Sequence, residues 1–206
     1  MTRTYFDLQT TINDDFLNRD MGDVTRRAIK RAISTYESKR HFFNETMTTV
    51  ACVSGDRFLS LPDDYFHLDR LEITCNAVQS ELYERDFSTV RLMNLAPGTD
   101  GQPVIYAIRG NRIELAPAPD SAYSIDVYYL HTQPDLSADT DSNAWTNECF
   151  NLIAHHAALD IMANVLQVAD QAKIANQTAF LKVAQSELAM RDEAHLITRL
   201  SNSEES

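Results

Sequence analysis

The sequence predicts an α+β protein: a helical bundle from N- and C-terminal helices with a central antiparallel β-rich region. Two observations carry most of that prediction. Gly and Pro are scarce, five and six in 206 residues, about 5% against roughly 12% in average usage. They are also confined. Pro62, Pro97, Pro103, Pro117, Pro119 and Pro134, with Gly55, Gly98, Gly101 and Gly110, all fall between Gly55 and Pro134. Helix interiors tolerate neither residue, whereas turns between strands need them. A third observation agrees: apolar residues alternate in the centre and recur at three-four spacing in the flanks. The implied layout is N-terminal helices over 1–45, a β-rich region over 46–144, C-terminal helices over 145–200 and a flexible tail over 201–206.

Each element follows from local pattern. Residues 4–17 place Phe6, Leu8, Ile12, Phe16 and Leu17 on a helical stripe. Asp20 or Asp23 can cap a second helix running to about Phe43, with Val24, Ala28, Ala32, Ile33 and Tyr36 along one face. In the centre, 48–53 and 57–61 are short strands around Ser54-Gly55-Asp56, a hairpin signal. Strand 67–75 and a short helix over 86–95 follow, the latter ending at the Pro97-Gly98 break. Strands 104–109 and 112–115 flank Gly110-Asn111, a pair suited to the positive φ of a tight turn, and 124–130 is an aromatic-rich strand. The connections read as too short for parallel crossovers, so five to seven antiparallel strands are expected. From Trp145 to Val168 no breaker occurs, and 149–168 is apolar around much of its circumference, as in a buried helix. Asp170 restarts a long helix carrying Ile174, Leu181, Ala184 and Leu188, and the polar SNSEES stretch reads as a tail.

Composition limits the function classes. The chain has a mass of 23.3 kDa, with 44% hydrophobic and 23% charged residues, and at this size about 70% of the unfolded surface can be buried. Eighteen Lys and Arg against thirty Asp and Glu give a net charge of −12, which argues against a general phosphate-backbone binder. No run approaches the roughly 20 apolar residues of a membrane span, and MTRTYFDLQT lacks a signal-peptide hydrophobic region. Cys52, Cys75 and Cys149 are widely spaced and form no C-x-x-C, so neither a disulfide framework nor a cysteine zinc site is expected. Synthesis in a reducing cytosol is the simplest expectation.

Motifs for nucleotide binding, serine hydrolysis and zinc proteolysis are missing from the sequence, and no cofactor or metal is expected. His155-His156 with Asp160 could share a helix face as metal ligands, but local hydrogen bonding is the plainer reading. Asp63-Asp64 and Glu81/Glu84 could be paired carboxylates for glycan cleavage; in so acidic a chain, chance pairs are expected. Arg26, Arg27, Lys30 and Arg31 form the one concentrated basic patch. It is either a contact for nucleic acid or an acidic partner, or a solvated face paired with nearby acids. Charge is also lopsided: residues 1–45 hold eight Lys and Arg against seven Asp and Glu, while 110–206 hold five against fourteen. Head-to-tail contacts between subunits would use such an asymmetry.

LPDDYFHLDRLEI (61–73), then YAIRGNRIELAPAPDSAYSIDVYYLHTQPDLS (106–137), then an acidic linker to Trp145 and an apolar helix form a more specific run. This order resembles the head-to-tail adaptor proteins of tailed bacteriophages, covering roughly 5–170 and most closely 57–166. Physically, Ile113, Leu115, Ile125, Val127 and Tyr129 alternate toward one core, and Pro117 and Pro119 end a strand. The resemblance implies a structural virion protein of the neck, with no enzymatic site and no cofactor. Its implied partners are the portal protein, tail or nozzle proteins, further copies in a ring of about twelve, and genomic DNA passing through the lumen without sequence-specific binding. An acidic lumen would repel phosphates and let DNA slide. Other readings are a different neck or tail component, a cell-wall-degrading virion enzyme, or a DNA-binding regulator using the basic helix.

Overall fold

The structure, a computed structural model, describes residues 2–96, 98, 100–168 and 170–203. Among the described residues are six α-helices, a π-helical segment and a curled seven-stranded sheet. Two compact units are present: residues up to Phe43 together with those from Gln133 onward, and Asn44–Thr132.

The first unit is helical. Helix α1 (Tyr5–Thr10) starts at a capping box: Thr4 Oγ1 accepts the Asp7 N–H, while Asp7 accepts the Thr4 N–H at 2.8 Å. The Thr4 N–H, together with the Thr4 hydroxyl donating at 3.0 Å, holds the Asp7 carboxyl below its usual range. The stripe expected over 4–17 buries Leu8, Ile12 and Leu17, but Phe6 is 56% exposed. The helix widens into a π-helix over Thr11–Leu17, and Asn13 there accepts from Thr25 Oγ1 at 2.6 Å and donates to Asp20 at 3.1 Å.

Helix α2 (Asp23–Glu37) buries Thr25, Ala28, Ile29, Ala32 and Tyr36. Its N-cap is Gly22, at φ 48°, rather than Asp20 or Asp23; Asp20 accepts the Gly22 N–H instead. The helix ends six residues before the expected Phe43, because the following aromatics fold inward. His41 and Phe43 pack on Trp145 with ring centroids at 5.5 and 5.0 Å, and His41 Nε2 reaches the Tyr36 carbonyl at 3.1 Å.

The helix expected from Trp145 is broken into α4 (Ala144–Asn147), capped by Asn143, and α5 (Phe150–Asn164). Around α5 pack α2, the π-helix and α6 (Gln171–Ser203), and Ala154, Ala157 and Ala158 are fully buried there. Asp170 begins α6 as expected, its carboxylate accepting the N–H groups of Ala172 and Lys173. Helix α6 continues through 201–203, into the stretch read as a tail; 204–206 lie outside the described residues.

The second unit is the sheet. Its strands are β1 (Glu45–Ala51), β2 (Phe58–Ser60), β3 (Tyr65–Cys75), β4 (Val78–Glu84), β5 (Ile105–Arg109), β6 (Arg112–Ala116) and β7 (Ser124–His131), in the order β1-β7-β3-β4-β5-β6-β2. Three expectations are corrected. The Ser54-Gly55 turn exists, with Gly55 at φ 78°, yet β1 and β2 do not pair; they form opposite ends of the sheet. Strand β4 was missed, and β4 pairs with β5 in parallel, Tyr83 opposite Ile105. The crossover between them carries helix α3 (Phe87–Leu95), long enough for parallel pairing. In the β5–β6 turn only Gly110 takes a positive φ; Asn111 does not. Pro97, half of the expected break after α3, lies outside the described residues.

Residues Ile113, Leu115, Ile125, Val127 and Tyr129 do converge, joined by Leu59, Leu71, Ile73, Leu82 and Tyr106. One charged residue is buried in this unit, Glu114 on β6, with Arg57 Nε 3.3 Å from its carboxylate.

Candidate interaction surfaces

The four basic residues of α2 are all exposed but not equivalent. Arg26 donates to Gln9 at 3.0 Å and to Asp139 at 3.1 Å. Arg31 donates to Asp160 from Nε at 2.9 Å, and its Nη2 pairs with the same carboxylate. These two side chains tie α2 to the 139 loop and to α5. Arg27 and Lys30 make no ion pair among the described residues.

The two histidines, Asp160 and Asp64 are engaged within the fold. His155 lies stacked between Phe16 and Phe180, with Nδ1 2.6 Å from Gln177 Oε1. His156 Nδ1 lies 2.9 Å from the Tyr36 hydroxyl, and Asp160 faces Arg31 and Asn164. The three do not meet, and no group of three or more His, Cys, Asp or Glu among the described residues could hold a metal ion. Asp64 accepts the Tyr129 hydroxyl at 2.9 Å. Glu81 and Glu84 sit three apart on β4, so their side chains leave opposite faces of the strand. Burial pushes the Cys149 thiol up to about 12, which makes it a poor nucleophile.

Burial lowers the His156 pKa below the ordinary 6.5, with Asp160 pulling weakly the other way. A base with a depressed folded pKa stabilises the fold above its unfolded pKa and loses that contribution as pH falls toward the folded value. Stability should therefore drop on acidification below 6.5. His156→Gln should flatten that dependence, read from urea midpoints at about pH 5 and 8.

Exposed apolar residues occur on the strands, Met47, Phe58, Phe66, Val78 and Tyr83 among them, and in rows on two helices. On α6, Gln177, Ala184 and Leu188 are buried, with Leu181 packed beside them. Asp192 fixes the helix further along, accepting the Phe42 N–H at 2.9 Å and lying 2.9 Å from His41 Nδ1. A second row lies on another side: Val183, Met190 and Ile197 recur every seven residues and are 55%, 68% and 62% exposed. A strict seven-residue apolar repeat is the pattern by which one helix packs along another. Helix α3 also presents outward residues, Leu92 and Leu95, while Val90 is buried against Ala107 and Ala116. The sequence reading found the inner row of α6 and missed the outer one, although the seven-residue spacing was its signal. No helix among the described residues is long and apolar enough to cross a membrane.

The family model for the SU10 adaptor protein matches residues 3–202, nearly the whole chain, and the chain belongs to that family. It is thus a bacteriophage adaptor, a structural component of the virion that interacts with other head and tail proteins. The match extends through α6, beyond the 5–170 covered by the sequence motifs. No curated protein matches the chain.

Proposed function

We propose that this adaptor docks beneath the portal, forms a ring of about twelve copies there, extends the DNA channel and offers the platform on which tail or nozzle proteins attach. The family membership over 3–202 carries this reading. The outer row of α6, a long helix with one apolar side turned from its own unit, supports it as a docking element. In this reading the terminal helices act as one bundle, and Arg27 and Lys30 contact an acidic surface of a neighbour or of the portal. The net charge of −12 suits a lumen that DNA traverses without adhering. No cofactor takes part. Electron cryo-microscopy of the neck tests the proposal. A ring of this chain between portal and tail supports it, and its absence from an otherwise complete neck overturns it.

A further inference from the structure

Residues 44–132 hold six basic side chains, all of them arginine; Lys30, Lys39, Lys173 and Lys182 lie outside that stretch. Three of the six converge beside α3. The guanidinium carbons of Arg109 and Arg91 lie 4.5 and 5.9 Å from the centroid of the Phe87 ring, at the start of that helix. Arg112 stands directly opposite Arg109 where the β5–β6 hairpin closes. Residues paired in this way share one face of a sheet, so Arg112 lies on the α3 side as well.

This cluster lacks a counter-charge. Arg91, Arg109 and Arg112 are exposed and make no ion pair among the described residues. The neighbouring carboxylates are taken: Glu114, two along from Arg112, faces Arg57, and Asp86 accepts the Thr89 N–H at the start of α3. Like charges directly opposite on adjacent strands are destabilising, a cost that an anionic surface would remove. The surroundings say which kind of surface. Leu92 follows Arg91 and Leu95 lies one helical turn on, 71% and 65% exposed. Arginine with aromatic and exposed apolar residues, and without lysine, is the composition of protein–protein contacts. Phosphate-backbone binding needs a net basic surface, whereas 44–132 carries thirteen acids against its six arginines.

We propose that this arginine face seats against an acidic cleft in the helical unit of a second copy of the chain. The cleft, of about 430 Å³, sets Asp14, Asp20, Asp23 and Asp139 against one guanidinium, that of Arg26. Arg26 is spent on Asp139, while Asp14 and Asp23 make no ion pair among the described residues. Phe6, 56% exposed, adds an apolar wall as the counterpart of Leu92 and Leu95. The planar guanidinium fork matches a carboxylate with two parallel bonds, which a lysine cannot do. The two surfaces are therefore complementary in charge and in apolar content. They are also unlike surfaces of the same chain, so the contact can repeat from copy to copy until a ring closes. The contact rests on the proposed ring and names the surfaces by which its neighbours meet.

The test adds the full chain to its portal protein and reads the assembly by native mass spectrometry. A face variant, Arg109→Glu with Arg112→Glu, should weaken assembly at least about tenfold, because like charges then meet across the contact. A cleft variant, Asp14→Arg with Asp23→Arg, should weaken it to a similar degree. Mixed together, the two variants should assemble again with equal numbers of each. Every contact in the mixture then sets a reversed face on a reversed cleft, or a native face on a native cleft, and the recovery itself shows that both variants fold. Full assembly by either variant alone overturns the proposal. So does a mixture that stays unassembled, which would assign the arginine face to another virion protein. An unmodified chain that never joins the portal overturns the ring reading, and this contact with it.

Discussion

Trp145→Ala should cost about 3–5 kcal/mol of folding stability, the range for truncating a large buried aromatic. Trp145 is 1% exposed and lies in the core of the helical unit with Ile29, Leu152 and Ile153. Two rings meet it edge-on, those of His41 and Phe43, and its helix is positioned by the Asn143–Thr146 capping box. Removing it opens a cavity beneath the point where the 41–43 segment folds back, so local packing should fail with it. The loss is a large share of the roughly 5–15 kcal/mol that holds a typical domain. Trp145→Phe should be far milder, at under about 2 kcal/mol, because Nε1 makes no hydrogen bond in the fold. Urea unfolding of the two variants beside the unmodified chain reads the difference directly; equal losses would mean that a phenyl ring does not fill the space the indole occupies.

Paired Val183→Glu and Met190→Glu substitutions should act in the opposite manner. Both side chains are more than half exposed, so the unfolding midpoint should move by no more than about 0.5 kcal/mol equivalent. If the outer row of α6 docks on another chain, the same change places unpaired carboxylates in a dry contact, each costing several kcal/mol, on the order of 1.4 kcal/mol per tenfold of affinity. Binding to the portal should therefore fall by at least about tenfold per substitution, with the free protein still folded. Retained binding by the doubly substituted chain would remove α6 from the interface and leave α3, with Leu92 and Leu95, as the other apolar helix surface.

The parts of the fold legible in the sequence were those decided locally. Asp86 and Asp170 were readable as helix starts, because a carboxylate meets exposed N–H groups within the next few residues. The β5–β6 hairpin and the inward alternation of Ile113 through Tyr129 were equally local in origin. Strand β4 was hidden because Leu82 is its one buried residue, so no alternation marks it. Its turn from β3 uses Asn76 and Ala77 at positive φ, without the glycine that usually announces such a turn. Partner choice was not readable at all. The Ser54-Gly55 turn fixed a reversal of the chain, but β1 finds its ladder on β7, where Thr48 lies opposite Val127. The candidate surface divides in the same way. Helical spacing was enough to group Arg26, Arg27, Lys30 and Arg31. Which of them stay available depends on Asp139 and Asp160, more than a hundred positions along the chain and unrelated by any short-range pattern.

The most direct measurement of the account's central claim is the mass of the complex formed when the purified chain is mixed with its portal protein. Native mass spectrometry should show the portal assembly gaining a fixed multiple of 23.3 kDa, equal to the portal's own rotational order of about twelve, and no such gain for the Val183→Glu, Met190→Glu chain. A portal whose mass stays unchanged at every concentration of folded protein would contradict the claim.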